Sequence, residues 1–143
     1  MDNETRATVT EFYQAYGEGN AARVAALIHD DIDWIIHGPA RIFPFEGPRR
    51  GKAAVLEVLA QIAEQYELKS YVPELVIVEG DRAAVLSNTS FVQRSTGRTL
   101  RLRLVNFVRL QNGQVVELRE FSDTFDVVEQ ALGSWLEVPA IVA

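Results

Sequence analysis

Leu100-Arg101-Leu102-Arg103-Leu104-Val105-Asn106-Phe107-Val108-Arg109-Leu110, followed after Gln111-Asn112-Gly113 by Gln114-Val115-Val116-Glu117-Leu118-Arg119-Glu120-Phe121-Ser122-Asp123-Thr124, is the stretch that decides the fold. At the strand period of two, Leu100, Leu102, Leu104, Asn106, Val108 and Leu110 share one face, and Arg101, Arg103 and Arg109 occupy the other. The second run places Val116, Leu118, Glu120 and Ser122 on one side and Glu117, Arg119 and Phe121 on the other. An amide and a carboxylate therefore point where the leucines point. Burial of an unpartnered neutral polar group costs roughly 1–3 kcal/mol, and of a charge more, so Asn106 and Glu120 are either satisfied there or used.

Working outward, the half of the chain from Leu68 onward predicts a strand meander: Leu68 to Val78, Arg82 to Gln93, Thr99 to Leu110 and Gln114 to Thr124. Glu79-Gly80-Asp81, Ser95-Thr96-Gly97 and Gln111-Asn112-Gly113 supply the turns. The half before it is helical. Val9, Phe12, Tyr13 and Tyr16 recur at helix spacing, Gly17-Glu18-Gly19-Asn20 breaks that helix and caps a second through Val24, Ala25, Leu27 and Ile28, and a third covers Lys52 to Tyr66. Between the second and third, Ile32 to His37 predicts a short strand stopped by Gly38-Pro39, and Ala40 to Gly51 a Pro/Gly/aromatic loop. Phe125 to Leu132 predicts a last short helix with Asp123 as its cap, followed by an apolar tail from about Gly133. Helices first and a long antiparallel sheet afterwards define an α+β class: three N-terminal helices on a strongly curved, mostly antiparallel sheet, a cone-shaped barrel enclosing a cavity.

Composition bounds the chemistry. The 143 residues suffice for one domain, 1–143, with 48% hydrophobic and 24% charged residues. The absence of cysteine removes thiolate chemistry and thiolate metal sites, and His29 and His37 are the two histidines, so no metal or other cofactor is expected. His29, beside Asp30-Asp31, is read as structural at a helix end. A net charge of −6 opposes a general nucleic-acid binder, and the Arg49-Arg50-Lys52 cluster is read as a solvated loop or helix-entry anion site. No stretch is long and apolar enough to span a membrane. The opening Met-Asp-Asn-Glu-Thr lacks a secretory pattern, so a cytoplasmic location is expected.

The string Phe12-Tyr13-Gln14-Ala15-Tyr16-Gly17-Glu18-Gly19-Asn20 with Ala26-Leu27-Ile28-His29-Asp30-Asp31-Ile32-Asp33-Trp34 resembles the opening of SnoaL-like and ketosteroid-isomerase-like proteins of the nuclear transport factor 2-like superfamily. Phe45-Glu46-Gly47-Pro48-Arg49-Arg50-Gly51-Lys52-Ala53-Ala54-Val55 and Arg119-Glu120-Phe121-Ser122-Asp123-Thr124 are similar to its middle and closing signatures, so the resemblance spans Glu11 to Leu132. The superfamily hosts isomerases, epoxide hydrolases, polyketide cyclases, dehydratases and binding proteins. Transferred onto this chain, the base and oxyanion-hole positions of ketosteroid isomerases fall on Ile36 or His37, Phe12 and Asn106, so that triad is not intact. The Arg-x-Asp of epoxide-hydrolase relatives is missing from Ser87-Asn88-Thr89-Ser90. The last-strand carboxylate of SnoaL-type cyclases falls on Glu120, and their sheet histidine on Asn106.

The resemblance thus implies a small-molecule acid/base enzyme, a cyclase, isomerase, dehydratase or hydrolase acting on an apolar, oxygen-bearing substrate. Glu120, Asn106 and His37 are its candidate catalytic residues. Phe12, Tyr16, Trp34, Ile36, Phe43, Asn88, Leu104, Leu118 and Ser122 are the candidate ligand-binding residues, with Ile42-Phe43-Pro44-Phe45 as a lid. The competing expectation is a non-catalytic binder of small hydrophobic ligands or a dimerisation domain, in which Glu120 pairs with Arg101, Arg103 or Arg119 and Asn106 merely ties it down. Either way a homodimer is expected, because Phe91, Val105, Phe107 and Phe121 share the arginine-bearing face. The tail Trp135 to Val142 is expected to pack on the body or on the second copy.

Overall fold

The computed structural model describes residues 1–141. Its elements are α1 (Asp2–Gly17), α2 (Ala21–Ala26), β1 (Ile28–Ile36), β2 (Gly47–Arg50), α3 (Lys52–Gln65), β3 (Tyr66–Glu79), β4 (Arg82–Gln93), β5 (Thr99–Gln111), β6 (Gln114–Ser122) and α4 (Thr124–Leu132). One six-stranded sheet has the order β2-β1-β6-β5-β4-β3. The β1–β6 pair is parallel and every other pair antiparallel. The two outer strands, β2 and β3, do not pair with each other, so the expected barrel is a curved, unclosed sheet whose concave side is covered by helices.

Local chemistry accounts for the boundaries. The Asn20 side chain accepts a hydrogen bond from the Arg23 amide at 3.1 Å, and Asp123 accepts one from the Asp126 amide at 3.1 Å, so both helix starts carry the caps their residue types favour. Asn112 and Gly113 have φ of 52° and 72°, the left-handed pair that a two-residue hairpin between right-twisted strands requires. Register shifts in β3, at Leu68/Ser70 and Pro73/Leu75, bend that long outer strand, where Pro73 removes no donor that a further strand would need.

Two boundaries differ from the sequence expectation. The strand around Trp34 begins at Ile28 rather than Ile32, because Ile28 pairs with Val115 before the register shifts ahead of Asp33. His29 is therefore a strand residue, its Nδ1 accepting from the Asp31 amide at 3.0 Å. Within the expected loop, Gly47–Arg50 pairs antiparallel with Asp33–Ile36. Two members of the basic cluster have partners in the protein: the exposed Arg50 approaches Asp33 at 3.6 Å, and Arg49 donates to three backbone carbonyls.

The core lies between the concave face and the helices. From α1 come Val9, Phe12 and Tyr13, from α3 Val55, and from the sheet Ile28, Ile32, Trp34, Val85, Val108 and Leu118. α1 is tied at its start to the β3–β4 turn: Thr5 Oγ1 donates to the Gly80 carbonyl at 2.6 Å, and the Gly80 amide donates to Asp2 at 2.8 Å. The tail leaves Trp135 90% and Ile141 94% exposed, so these two do not pack on the body of the chain, and Val142 lies outside the described residues. Phe91 also departs from expectation, turning to the concave side and leaving Phe107 and Phe121 as exposed aromatics of the convex face.

Truncating Ile32 to Ala should cost about 2–5 kcal/mol, since the site is fully buried. The same truncation of Ile42, half exposed in a loop, should stay within about 0.5 kcal/mol. Urea unfolding of the two variants measures the difference.

Candidate active site

Adjacent strands bring Asn106 and Glu120 together. In the β5–β6 ladder they are directly opposed, and parallel pairing places Ile36 beside Glu120 on the other side. Opposed residues share a face, so the period that sends Leu104 and Leu118 inward sends this pair inward too. Asn106 is 2% exposed.

Four side chains then form one chain of hydrogen bonds. Tyr13 of α1 donates its hydroxyl to Asn106 Oδ1 at 2.7 Å, and Tyr71 of β3 donates to the same oxygen at 3.1 Å. Asn106 Nδ2 donates to Glu120 Oε1 at 3.1 Å. Two phenols on the oxygen leave the amide one useful orientation, nitrogen toward the carboxylate. The phenols stay donors, because burial first, and the nearby Glu120 charge after it, push both far above the ordinary tyrosine range. Tyr13 and Tyr71 stack at a centroid distance of 5.7 Å, so their hydroxyls converge.

The chain borders a cavity of about 100 Å³. It adjoins an apolar groove of about 670 Å³ along α2 and α3, and Tyr16, Ile62, Tyr66 and Phe91 line both. Within the cavity stand ten of the twelve residues named from the sequence: Glu120, Asn106, Phe12, Tyr16, Trp34, Ile36, Phe43, Leu104, Leu118 and Ser122. The loop read as a lid turns Phe43 and Phe45 inward, their rings 5.6 Å apart, and leaves Ile42 outside.

The other two stand elsewhere. His37 follows the inward Ile36, so alternation carries it to the convex side, exposed and stacked on Phe121 at 4.4 Å. Asn88 is exposed on the convex face and donates to Glu74; its neighbours Ser87 and Thr89 are the buried residues of that strand.

No arginine neutralises Glu120 among the described residues. Arg119 pairs with Asp33 at 3.0 Å, Arg103 with Glu74 at 2.9 Å, and Arg101 is exposed. Burial raises the Glu120 pKa, and the Asn106 hydrogen bond, which favours the charged form, pulls it partly back. Burial thus favours the neutral form of this carboxyl and one hydrogen bond its charged form.

Sequence reasoning missed Glu46. Its side chain lines the cavity, the residue is 5% exposed, and burial first, then the charge of Glu120, push its carboxyl up to about 7. The available signal was an acid directly after the apolar run Ile42 to Phe45. Tyr71 was missed because its strand follows no clean alternation. Among the described residues no three His, Asp or Glu side chains gather as a metal site, and no helix is long and apolar enough to cross a membrane.

Two outcomes follow for pH. A carboxyl raised from 4.5 to about 7 on folding binds more protons folded than unfolded in that interval, so its contribution to stability is complete below about 4.5 and is lost as pH rises through about 7. Thermal unfolding should show this decline, and Glu46→Gln should flatten it. Asn106→Leu should raise the Glu120 midpoint further, since the one hydrogen bond that lowers it is removed; carbon-13 NMR of labelled glutamates reads the shift.

The chain is similar to known proteins over most of its length. The sequence matches the SnoaL-like domain family over residues 9–118. A Rhodopseudomonas palustris protein provisionally described as an isomerase is 42% identical, with a TM-score of 0.78 over 87% of this chain and 93% of its own. A nuclear transport factor 2-like protein from Burkholderia xenovorans LB400 is 30% identical, with a TM-score of 0.77 over 91% of this chain and 97% of its own. An LEH-like epoxide hydrolase from M. tuberculosis, 14% identical, shares the fold with a TM-score of 0.76 over 93% of this chain and 92% of its own. No curated protein matches the sequence. With the family match covering most of the chain and the sheet, helices and cavity arranged as described, this protein belongs to the SnoaL-like domain family of the nuclear transport factor 2-like superfamily.

Proposed function

We propose that the protein is a cofactor-free acid/base catalyst for a small apolar molecule carrying a carbonyl or epoxide-type oxygen, with Glu120 as the group that takes and returns the proton. The observation that carries this reading is a carboxylate inside an apolar cavity, held by an amide rather than by a cation. An ion pair would have kept Glu120 a permanent anion, whereas desolvation brings it within reach of both protonation states. Asn106 is then a positioning residue: its nitrogen donates to Glu120 and its oxygen accepts from the two tyrosines, which orients the base. The reacting part of the substrate fits the small cavity beside Glu120, and its apolar remainder has room in the groove beyond Tyr16 and Phe91.

Removal of a carbon-bound proton is directly observable. Small cyclic ketones and enones incubated with the protein in D2O should gain deuterium next to the carbonyl, and Glu120→Gln should cut the rate by about 10²–10⁴-fold. Equal exchange by the wild type and Glu120→Gln, with the ketones still bound, would favour the ligand-binding alternative.

We also propose self-association through the convex face. Phe107 and Phe121, 52% and 46% exposed, form an edge-to-face pair at 6.0 Å, and Leu75 and Ile77 are exposed on β3 of the same sheet. Light scattering should give twice the chain mass, and Phe107→Glu should return it to monomer; a monomeric wild type overturns this.

A further inference from the structure

A second carboxyl, that of Glu46, lines the cavity, and its Oε1 is buried and accepts no hydrogen bond among the described residues. Its backbone is pinned. The Glu46 amide donates to the Phe43 carbonyl at 2.9 Å, and Arg49 donates to the carbonyls of Pro44 at 2.7 Å and Glu46 at 3.3 Å. Arg49 thus bonds to the loop's backbone carbonyls and forms no salt bridge with the carboxyl.

The side chain has a seat as well. A Cβ on Gly38 would collide with the Glu46 carboxyl, so this acid lies against the one residue type that leaves space for it. Gly38 directly follows His37, whose amide donates to the Glu120 backbone carbonyl at 3.0 Å. The seat therefore adjoins the β6 position that carries the base.

Two carboxyls border one apolar cavity, and only one is stabilised as an anion. Glu120 accepts from Asn106; the buried Oε1 of Glu46 accepts no hydrogen bond among the described residues, and the Glu120 charge opposes its ionisation. Tyr66 lines the same cavity, its hydroxyl pKa raised first by burial and also by the Glu46 charge. Burial and the Glu120 charge both favour the neutral form of Glu46, whereas the Asn106 hydrogen bond favours the charged form of Glu120.

We propose that Glu46 is a catalytic residue of this cavity, a neutral carboxylic acid seated on Gly38 that protonates the substrate oxygen while Glu120 removes a proton from carbon. It rests on the reading of Glu120 as the base. In the forward step Glu120 takes the proton from the carbon next to a carbonyl. The C–H electron pair becomes the new C=C bond, the C=O pair moves to oxygen, and that oxygen takes the Glu46 proton. The product is a neutral enol, with Glu120 protonated and Glu46 ionised. Return of the proton from Glu120 to the same or a conjugated carbon, and of the enol proton to Glu46, restores both groups. Glu46 supplies a donor to the developing oxyanion.

The test combines carbon-13 titration of labelled glutamates with deuterium exchange into cyclic ketones, for the wild type, Glu46→Gln, Glu120→Gln and Gly38→Ala. Expected are a wild-type Glu46 midpoint near 7 that falls in Glu120→Gln, and exchange lowered about 10²-fold or more in Glu46→Gln. Gly38→Ala keeps the acid but displaces it, and because the colliding atoms are the far end of a flexible side chain the fold should tolerate it. Its Glu46 midpoint should return toward 4.5 and its exchange should fall as in Glu46→Gln. A wild-type midpoint near 4.5 overturns the proposal whatever the ketones do. Full exchange in Glu46→Gln with loss in Glu120→Gln overturns the role of Glu46 and leaves the base standing, whereas full exchange in both removes the base and the proposal together.

Discussion

Everything distinctive about this protein depends on one amide, that of Asn106, placed between two phenols and a carboxylate. It joins α1, β3, β5 and β6 through three hydrogen bonds of 2.7, 3.1 and 3.1 Å. An amide has an acceptor end and a donor end, and the tyrosines claim the first. Glu120 therefore receives a donor, and a buried carboxylate is stabilised without any positive charge. Were the middle residue apolar, three polar groups would be stranded at once. Were it positively charged, it would favour the ionised form of Glu120 and oppose the rise that burial produces.

The second constraint is desolvation shared between two acids. Both carboxyls are raised chiefly by burial, but they are treated unequally: one receives an amide, the other only the space above a glycine. Unequal surroundings separate the affinities of two like groups for a proton, which is how a single apolar cavity can hold an acid and a base together. The aromatic loop carrying Glu46 gains its geometry from Arg49, whose guanidinium binds backbone carbonyls and so holds Phe43, Phe45 and Glu46 over the opening. A residue read from sequence as part of a solvated cluster is thus a structural fastening of the cavity roof.

Most of the fold was legible because its signals are local. The turn residues Asn112-Gly113, the cap Asn20 and the alternation along Leu100 to Leu110 each act within a few residues. The failures were of two kinds. β2 was read as loop because four residues, Gly-Pro-Arg-Arg, form a strand only when β1 offers them an edge. Asn88 was assigned to the cavity from its place in a polar run, although its neighbours at Ser87 and Thr89 take the inward positions.

By itself, the sequence determined the α+β class, the order of elements and the inward direction of Asn106 and Glu120, because periodicity and turn chemistry are properties of neighbouring residues. Family membership too rests on the linear strings. Only the tertiary structure decided which groups those two side chains meet. The tyrosines lie 93 and 35 residues away along the chain from Asn106, and no period links them to it. It also decided that the arginines go to other acids, that the aromatic loop folds inward, and that Glu46 comes to rest on Gly38 beside the strand of Glu120. A carboxylate's proton affinity is set by what surrounds it in space, so the chemistry of this cavity became readable once the helices had closed over the sheet.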